Sequence, residues 1–222
     1  MLRPMIRIPR AVLVPAAILA GLCPLVANSL HEDSVGDGRQ ILAEAEAGLP
    51  VAGQVSVVLF LLGFAALIVV LAALSAAIAG GTPHLAGVVA IAGAAAVAVK
   101  LAEAQTGMAL RAAADVVDPG TAEVLAGIDE AGFTVHGFLI SLALGAGALG
   151  LLRSGVVPAW LAWWGVLMGG LGVATATVGI LWPTMYVPVP YLLLLVWLVA
   201  LGIVAARRPL AAAPRIAVGA TQ

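Results

Sequence analysis

The chain is poor in charge, in cysteine and in histidine, and each shortage excludes a class of function. One cysteine, Cys23, rules out an internal disulfide and any cysteine-based metal cluster within one chain. It reads as a small apolar filler. The three histidines, His31, His84 and His136, have no H-x-x-x-H, H-x-x-E-H or C-x-x-C companion spacing. Axial ligation of a haem would need two imidazoles converging on one cavity. His31 falls in a loop and His84 at the opposite end of the molecule from His136, so neither cofactor nor metal is expected. Ser141 lies little more than a helical turn from His136, but no carboxylate at that depth orients the pair, and a helix-packing serine is the simpler role. With 9% charged residues and a net charge of −1, no basic face exists to track phosphates, and no nucleic acid partner is expected.

What fills the space is apolar. Apolar residues make up 63% of the chain, against roughly 45–50% in soluble proteins, where charged residues reach about 25%. A core of this size cannot hide such a surplus, so lipid must solvate it. A spanning helix needs about 20 mostly apolar residues, and six windows supply them: 11–30, 55–79, 85–105, 131–152, 159–181 and 187–206. The expected fold is an all-α bundle of six transmembrane helices forming a single integral membrane domain.

The few charges are segregated. Arg3, Arg7, Arg10, Arg153, Arg207, Arg208 and Arg215 fall at one set of ends. All the acids fall in segments 31–54 and 106–130 or at their margin at Glu103: Glu32, Asp33, Asp37, Glu44, Glu46, Glu103, Asp115, Asp118, Glu123, Asp129 and Glu130. By the positive-inside rule both termini are cytoplasmic and the acidic segments lie outside. Six spans return the chain to its starting side, in agreement with the charges. The arginines before window one also describe a secretory signal. Pro15 and Pro24 interrupt that run, Ala27-Asn28-Ser29 is a poor cleavage site, and Leu22 stands before Cys23 where a lipoprotein signal needs a small residue. An uncleaved helix is expected.

The third and fourth helices look longer than a membrane is thick. Thr82 is placed to cap and Pro83 to open a helix that stays helix-compatible to about Val117. Asp118-Pro119-Gly120-Thr121 then turns the chain into a helix ending at Arg153-Ser154-Gly155. Each would be about 50 Å long against about 30 Å of hydrocarbon, so an acidic helical hairpin should project outside. Val124, Leu125 and Ile128 have the spacing to face its partner helix. A short helix at residues 39–47, stopped by Gly48 and Pro50, is expected before it. Trp160, Trp163 and Trp164 mark the inner interface; Trp182, Tyr186 and Tyr191 mark the outer one. Trp197, deeper, is packed or lipid-facing.

One polar constellation invites a site. Lys100 and His136 each stand sixteen residues above the inner end of their helix, a rise of about 24 Å. Glu103, Asp129 and Glu130 lie one or two turns further out. Ionisable groups at membrane depth are costly and often functional. Such a cluster could bind an anionic head group, relay protons, or sense outer pH through His136. The plain alternative is that Lys100 snorkels to the interface beside Glu103 while His136 bonds a neighbouring helix. Ser141-x-x-x-Gly145, Ala146-x-x-x-Gly150 and Gly165-x-x-x-Gly169 offer small-residue faces for packing within the chain or for a homodimer.

The stretch Arg153-Ser154-Gly155-Val156-Val157-Pro158-Ala159-Trp160-Leu161-Ala162-Trp163-Trp164-Gly165 resembles a segment of small bacterial six-helix membrane proteins classed as a domain of unknown function. Their R-S-G-x-x-P-x-W-L-x-W-x-G pattern joins helices four and five. The similarity covers roughly residues 118–181 and departs at Ala159, where that group carries arginine. It implies an all-helical fold in the plasma (inner) membrane of a bacterium and supplies no activity. Three readings of function stay open. The first is a non-catalytic scaffold or regulator that meets a protein partner through its acidic outer hairpin. The others are a small transporter or lipid- or ion-binding protein using Lys100 and His136, and a membrane-embedded enzyme or redox protein.

Overall fold

The computed structural model describes residues 9–30 and 37–207. Seven α-helices and one 3-10 turn account for them: α1 (Arg10–Leu30), α2 (Gly38–Ala47), α3 (Val51–Ile78), α4 (Pro83–Ala112), α5 (Pro119–Ser154), α6 (Ala159–Leu181), the turn Pro183–Met185, and α7 (Val189–Arg207). All but α2 are long and apolar enough to cross a bilayer, which makes this a multi-pass membrane protein of six spans. His31, and with it the paired-histidine reading, lies outside the described residues, as do Glu32, Asp33, Arg3, Arg7, Arg208 and Arg215.

The spans close a ring in the order α1, α3, α4, α5, α6, α7, and α5 also touches α3 and α7 across it. The central place of α5 follows from its small residues. Gly147 lies against Leu74 and Gly150 against Ile78 of α3, leaving no room for a side chain. On its other flank, a Cβ on Gly169 of α6 would stand 2.5 Å from the Gly145 Cα. The serine–glycine and glycine–glycine faces are therefore spent on the α5–α6 crossing inside the chain. Ser141, fully buried, sits against Gly172, a packing role. Trp197 is packed, not lipid-facing: its indole N–H donates to the Leu161 carbonyl at 2.8 Å, joining α7 to α6. α1 is a wall of the same bundle. Gly21 lies on the α7 backbone at Leu195, and Gly63 of α3 admits the Pro24 ring.

Charge divides the ends of the ring. At the basic end Arg10 donates to the Ala205 carbonyl at 2.8 Å and to Ala206, so this guanidinium caps the last turn of α7, where carbonyls are orphaned and the helix dipole is negative. At the acidic end α2 runs one residue longer than the spacing indicates. Asp37 Oδ1 accepts from the Arg39 and Gln40 amides, both at 3.1 Å, and Gly48 at φ +76° stops it. Gly38 presses on the Pro119 backbone, and its amide donates to Glu123 Oε1 at 2.8 Å. α2 thus clamps the tip of the α4–α5 hairpin.

At 36 residues α5 is about 54 Å long, and α4, with 30, about 45 Å. The hairpin projects from the acidic end as the lengths predict, with three differences. α4 ends at Ala112 rather than near Val117: the proline forces Asp118 into an extended conformation (ψ 156°). The β-branched pair Val116-Val117 instead forms a turn on the Ala113 carbonyl. Thr82 does not cap α4; its hydroxyl donates back to Ile78 at 3.2 Å. Val124 and Ile128 do not face the partner helix. They are 63% and 53% exposed, while Ala122 is fully buried and Leu125 half-buried. The tip of α5 is covered closely at the small Ala122, beside the Pro119 and Glu123 contacts with α2. At the tip Asp118 accepts from the Thr121 hydroxyl at 2.6 Å and amide at 3.1 Å, which holds its carboxyl below the usual range.

Orientation across the membrane is a prediction of the charge pattern. Cysteine at Gly120 should react with an impermeant maleimide added outside intact cells, and cysteine at Ser154 should not. The native Cys23 is buried and gives no background. The reverse pattern would invert the topology.

Candidate functional site

Lys100 and Glu103, one turn apart on α4, form an ion pair at the acidic end of the ring. The Glu103 side chain is 3% exposed and that of Lys100 18%. Gly132 of α5 makes burial of the carboxylate possible: a Cβ there would stand 2.5 Å from Glu103 Cγ. The pair is enclosed by rings. The Lys100 ammonium lies 5.0 Å from the centre of Phe133 on α5 and 5.8 Å from that of Phe60 on α3, within cation–π range. Phe133 in turn meets Tyr186 and Tyr191 edge-on, at 5.8 and 5.9 Å.

His136 sits one turn deeper on α5. Its Nδ1 donates to the Ala96 carbonyl of α4 at 2.9 Å, and Phe64 and Tyr191 stand edge-on at 5.7 and 5.8 Å. The histidine is 1% exposed. Depth counting thus brings Lys100, Glu103 and His136 into one neighbourhood. Each also has the partner that the plain alternative gives it: Glu103 for the lysine, a neighbouring helix for the imidazole. Asp129 is exposed but near enough for its charge to act on Glu103. Glu130 is exposed, and its backbone carbonyl accepts from the Thr134 hydroxyl at 3.4 Å.

Two features are left open by this geometry. Glu103 Oε1 is buried without a hydrogen-bond partner, and a buried acceptor left unmade is costly. Along α5 inward of His136, the buried positions are Gly137, Ile140, Ala143, Leu144, Gly147, Ala148, Gly150 and Leu151, with Ser141 the one hydroxyl, its Oγ likewise without a hydrogen-bond partner. The polar cluster is confined to one end.

No family model, curated protein or solved structure matches the chain. The site is therefore weighed on its own chemistry. Among the described residues no group of three His, Cys, Asp or Glu side chains could hold a metal ion.

Sequence reasoning missed the rings. Tyr191 looks like an interfacial aromatic, but the structure makes it 3% exposed and turns it onto Phe133 and His136. Tyr186 is half-buried against Gly137 and Gly179, and burial pushes its phenol up to about 12. Counting residues from the basic ends of α3 and α7 would have set Phe60 and Tyr191 at the depth of Lys100. Only the packing shows that they face it.

Proposed function

We propose that this protein is a non-catalytic membrane scaffold or regulator whose α4–α5 hairpin receives a protein partner with a basic, partly apolar surface outside the membrane. The observation that carries this reading is the exposed pair Val124 and Ile128. Ile128 stands 26 residues, or about 39 Å, above the basic end of α5, beyond a hydrocarbon layer of about 30 Å. Lipid tails therefore do not account for its exposure. Met108 and Val116, 64% and 79% exposed, add apolar surface to the same hairpin, and Asp115, Asp129 and Glu130 are exposed on it too. Apolar residues within a charged rim are the anatomy of a protein-binding face, and acids steer a basic partner. α2 holds the hairpin as a rigid platform, so the surface is preorganised. The resemblance of residues 153–165 to the bacterial six-helix group is consistent with a plasma-membrane setting.

The test uses a photo-reactive residue at Val124 or at Ile128 in the full chain, expressed in cells that carry the native partner. A discrete cross-linked protein is expected at both positions. It should be lost when Asp129→Lys and Glu130→Lys are combined, while a probe at the lipid-facing Leu167 yields no such product. Cross-links absent at both hairpin positions, with the protein intact in the membrane, would sink the proposal.

A further inference from the structure

We propose that the groove between α3 and α4, together with the Lys100–Glu103 pair above it, is one binding site for a phospholipid bearing a primary-amine head group. It does not depend on the hairpin reading: the groove and Lys100 have no part there, and only Asp129 is common to both. The groove is open along one side and offers about 500 Å³. Leu71, Gly93 and Val97 form its buried floor, and Ala72, Ala90 and Ala94 are its exposed rim. Its basic end is closed where the Ser75 hydroxyl donates to the Ala86 carbonyl at 3.0 Å. From Ala86 to Val97 the helical rise is about 16 Å, half of the roughly 30 Å hydrocarbon core and so the depth of one leaflet. The dimensions suit an acyl chain.

The polar end selects the head group. Lys100 continues the stripe Ala90, Gly93, Val97 by one turn, so its ammonium stands at the mouth of the groove, between Phe60 of α3 and Phe133 of α5. Further out come the carboxylates of Glu103 and Asp129. The order along the membrane normal is chain groove, cation, anions. A phospholipid with an ethanolamine-type head presents chain, phosphate, ammonium in that same order. Lys100 has three N–H donors, one engaged by Glu103, leaving others for the phosphate. The exposed Asp129 is the acceptor for the amine, while Glu103, packed against Gly132, holds Lys100 in place. A purely anionic head would bring its phosphate to Lys100 but also against Glu103, Asp129 and Glu130. A choline head has no N–H to give Asp129. The charge order favours the amine over both.

Native mass spectrometry of the full chain in mild detergent tests this, with dioleoyl phosphatidylethanolamine, phosphatidylglycerol and phosphatidylcholine offered at equal concentration. Phosphatidylethanolamine should be retained about tenfold over either competitor, the yield of one hydrogen bond to a charged group. Ala94→Phe fills the groove from its exposed rim without entering the core and should abolish retention. The double variant Lys100→Gln/Glu103→Gln, which keeps the volumes and buries no charge, should retain all three lipids equally, and Asp129→Asn should narrow the preference. Equal retention by the native protein overturns the proposal. So does a preference for phosphatidylglycerol, which would mean a bare cation, or for phosphatidylcholine, which would mean an aromatic cage. Retention that survives Ala94→Phe overturns it as well.

Discussion

Replacing Lys100 with alanine should destabilise the protein by about 3 kcal/mol, the low end for breaking a buried ion pair. The lysine is worth little as a contact. Its removal is costly because Glu103, 3% exposed on its side chain, is left charged, enclosed by Gly132 and the surrounding rings, with neither oxygen paired. The diagnostic is rescue. Glu103→Gln introduced beside Lys100→Ala should recover most of the loss, because the amide carries no charge to desolvate. Thermal or denaturant unfolding in one detergent measures the single and double variants, and the coupling between them isolates the pair. A loss under about 1 kcal/mol without rescue would show water reaching the carboxylate, the snorkelling expected of a lysine near an interface.

Gly169→Val should cost as much or more, about 3 kcal/mol, at the upper end for forcing volume into a packed interior. The obstacle is backbone: the new Cβ would fall 2.5 Å from Gly145 Cα and 3.0 Å from the Ser141 carbonyl oxygen. No rotamer change relieves that, so α5 and α6 must separate along a crossing that also holds Ser141 against Gly172. Gly170→Val is the control. It has the same helix and change of residue, but its Cβ would meet nothing within 4 Å, and the effect should stay within about 0.5 kcal/mol. Valine is a better helix former than glycine, so propensity cannot produce a loss, and equal loss at both positions would refute the close crossing.

These two expectations differ in how far the sequence could have supported them. The glycine spacing of 165 and 169 is visible in the chain, and so is its fitness for a close helix crossing. The partner is not. A small-residue face is equally suited to a sibling helix and to a second copy, and only the positions of Gly145 and Ser141 decide for the sibling. The ion pair shows the same division. A lysine and a glutamate three apart on a helix are neighbours in any structure. Whether Glu103 is wet or dry depends on Gly132, a residue 29 positions away whose missing side chain makes the space. Val124 and Ile128 mark where periodicity misled. Apolar residues at helical spacing were expected in the hairpin seam, and at this end of α5 it is the alanine at 122 that is buried instead.

The sequence by itself determined the class, the six spans, the turn at Asp118–Pro119, the stop at Gly155 and the segregation of acids from arginines. These follow from hydropathy, local backbone preference and charge, which act within a turn or across one bilayer thickness. The tertiary structure alone decided which way each amphipathic or aromatic residue faces. Tyr191 turned from interface to interior, Val124 turned outward, and five separate segments brought Phe60, Lys100, Phe133, Tyr186 and Tyr191 together. Hydropathy cannot settle that, because in lipid both the inside and the outside of a helix are apolar. Facing is then set by shape: where a glycine leaves a hollow, and which ring fills it.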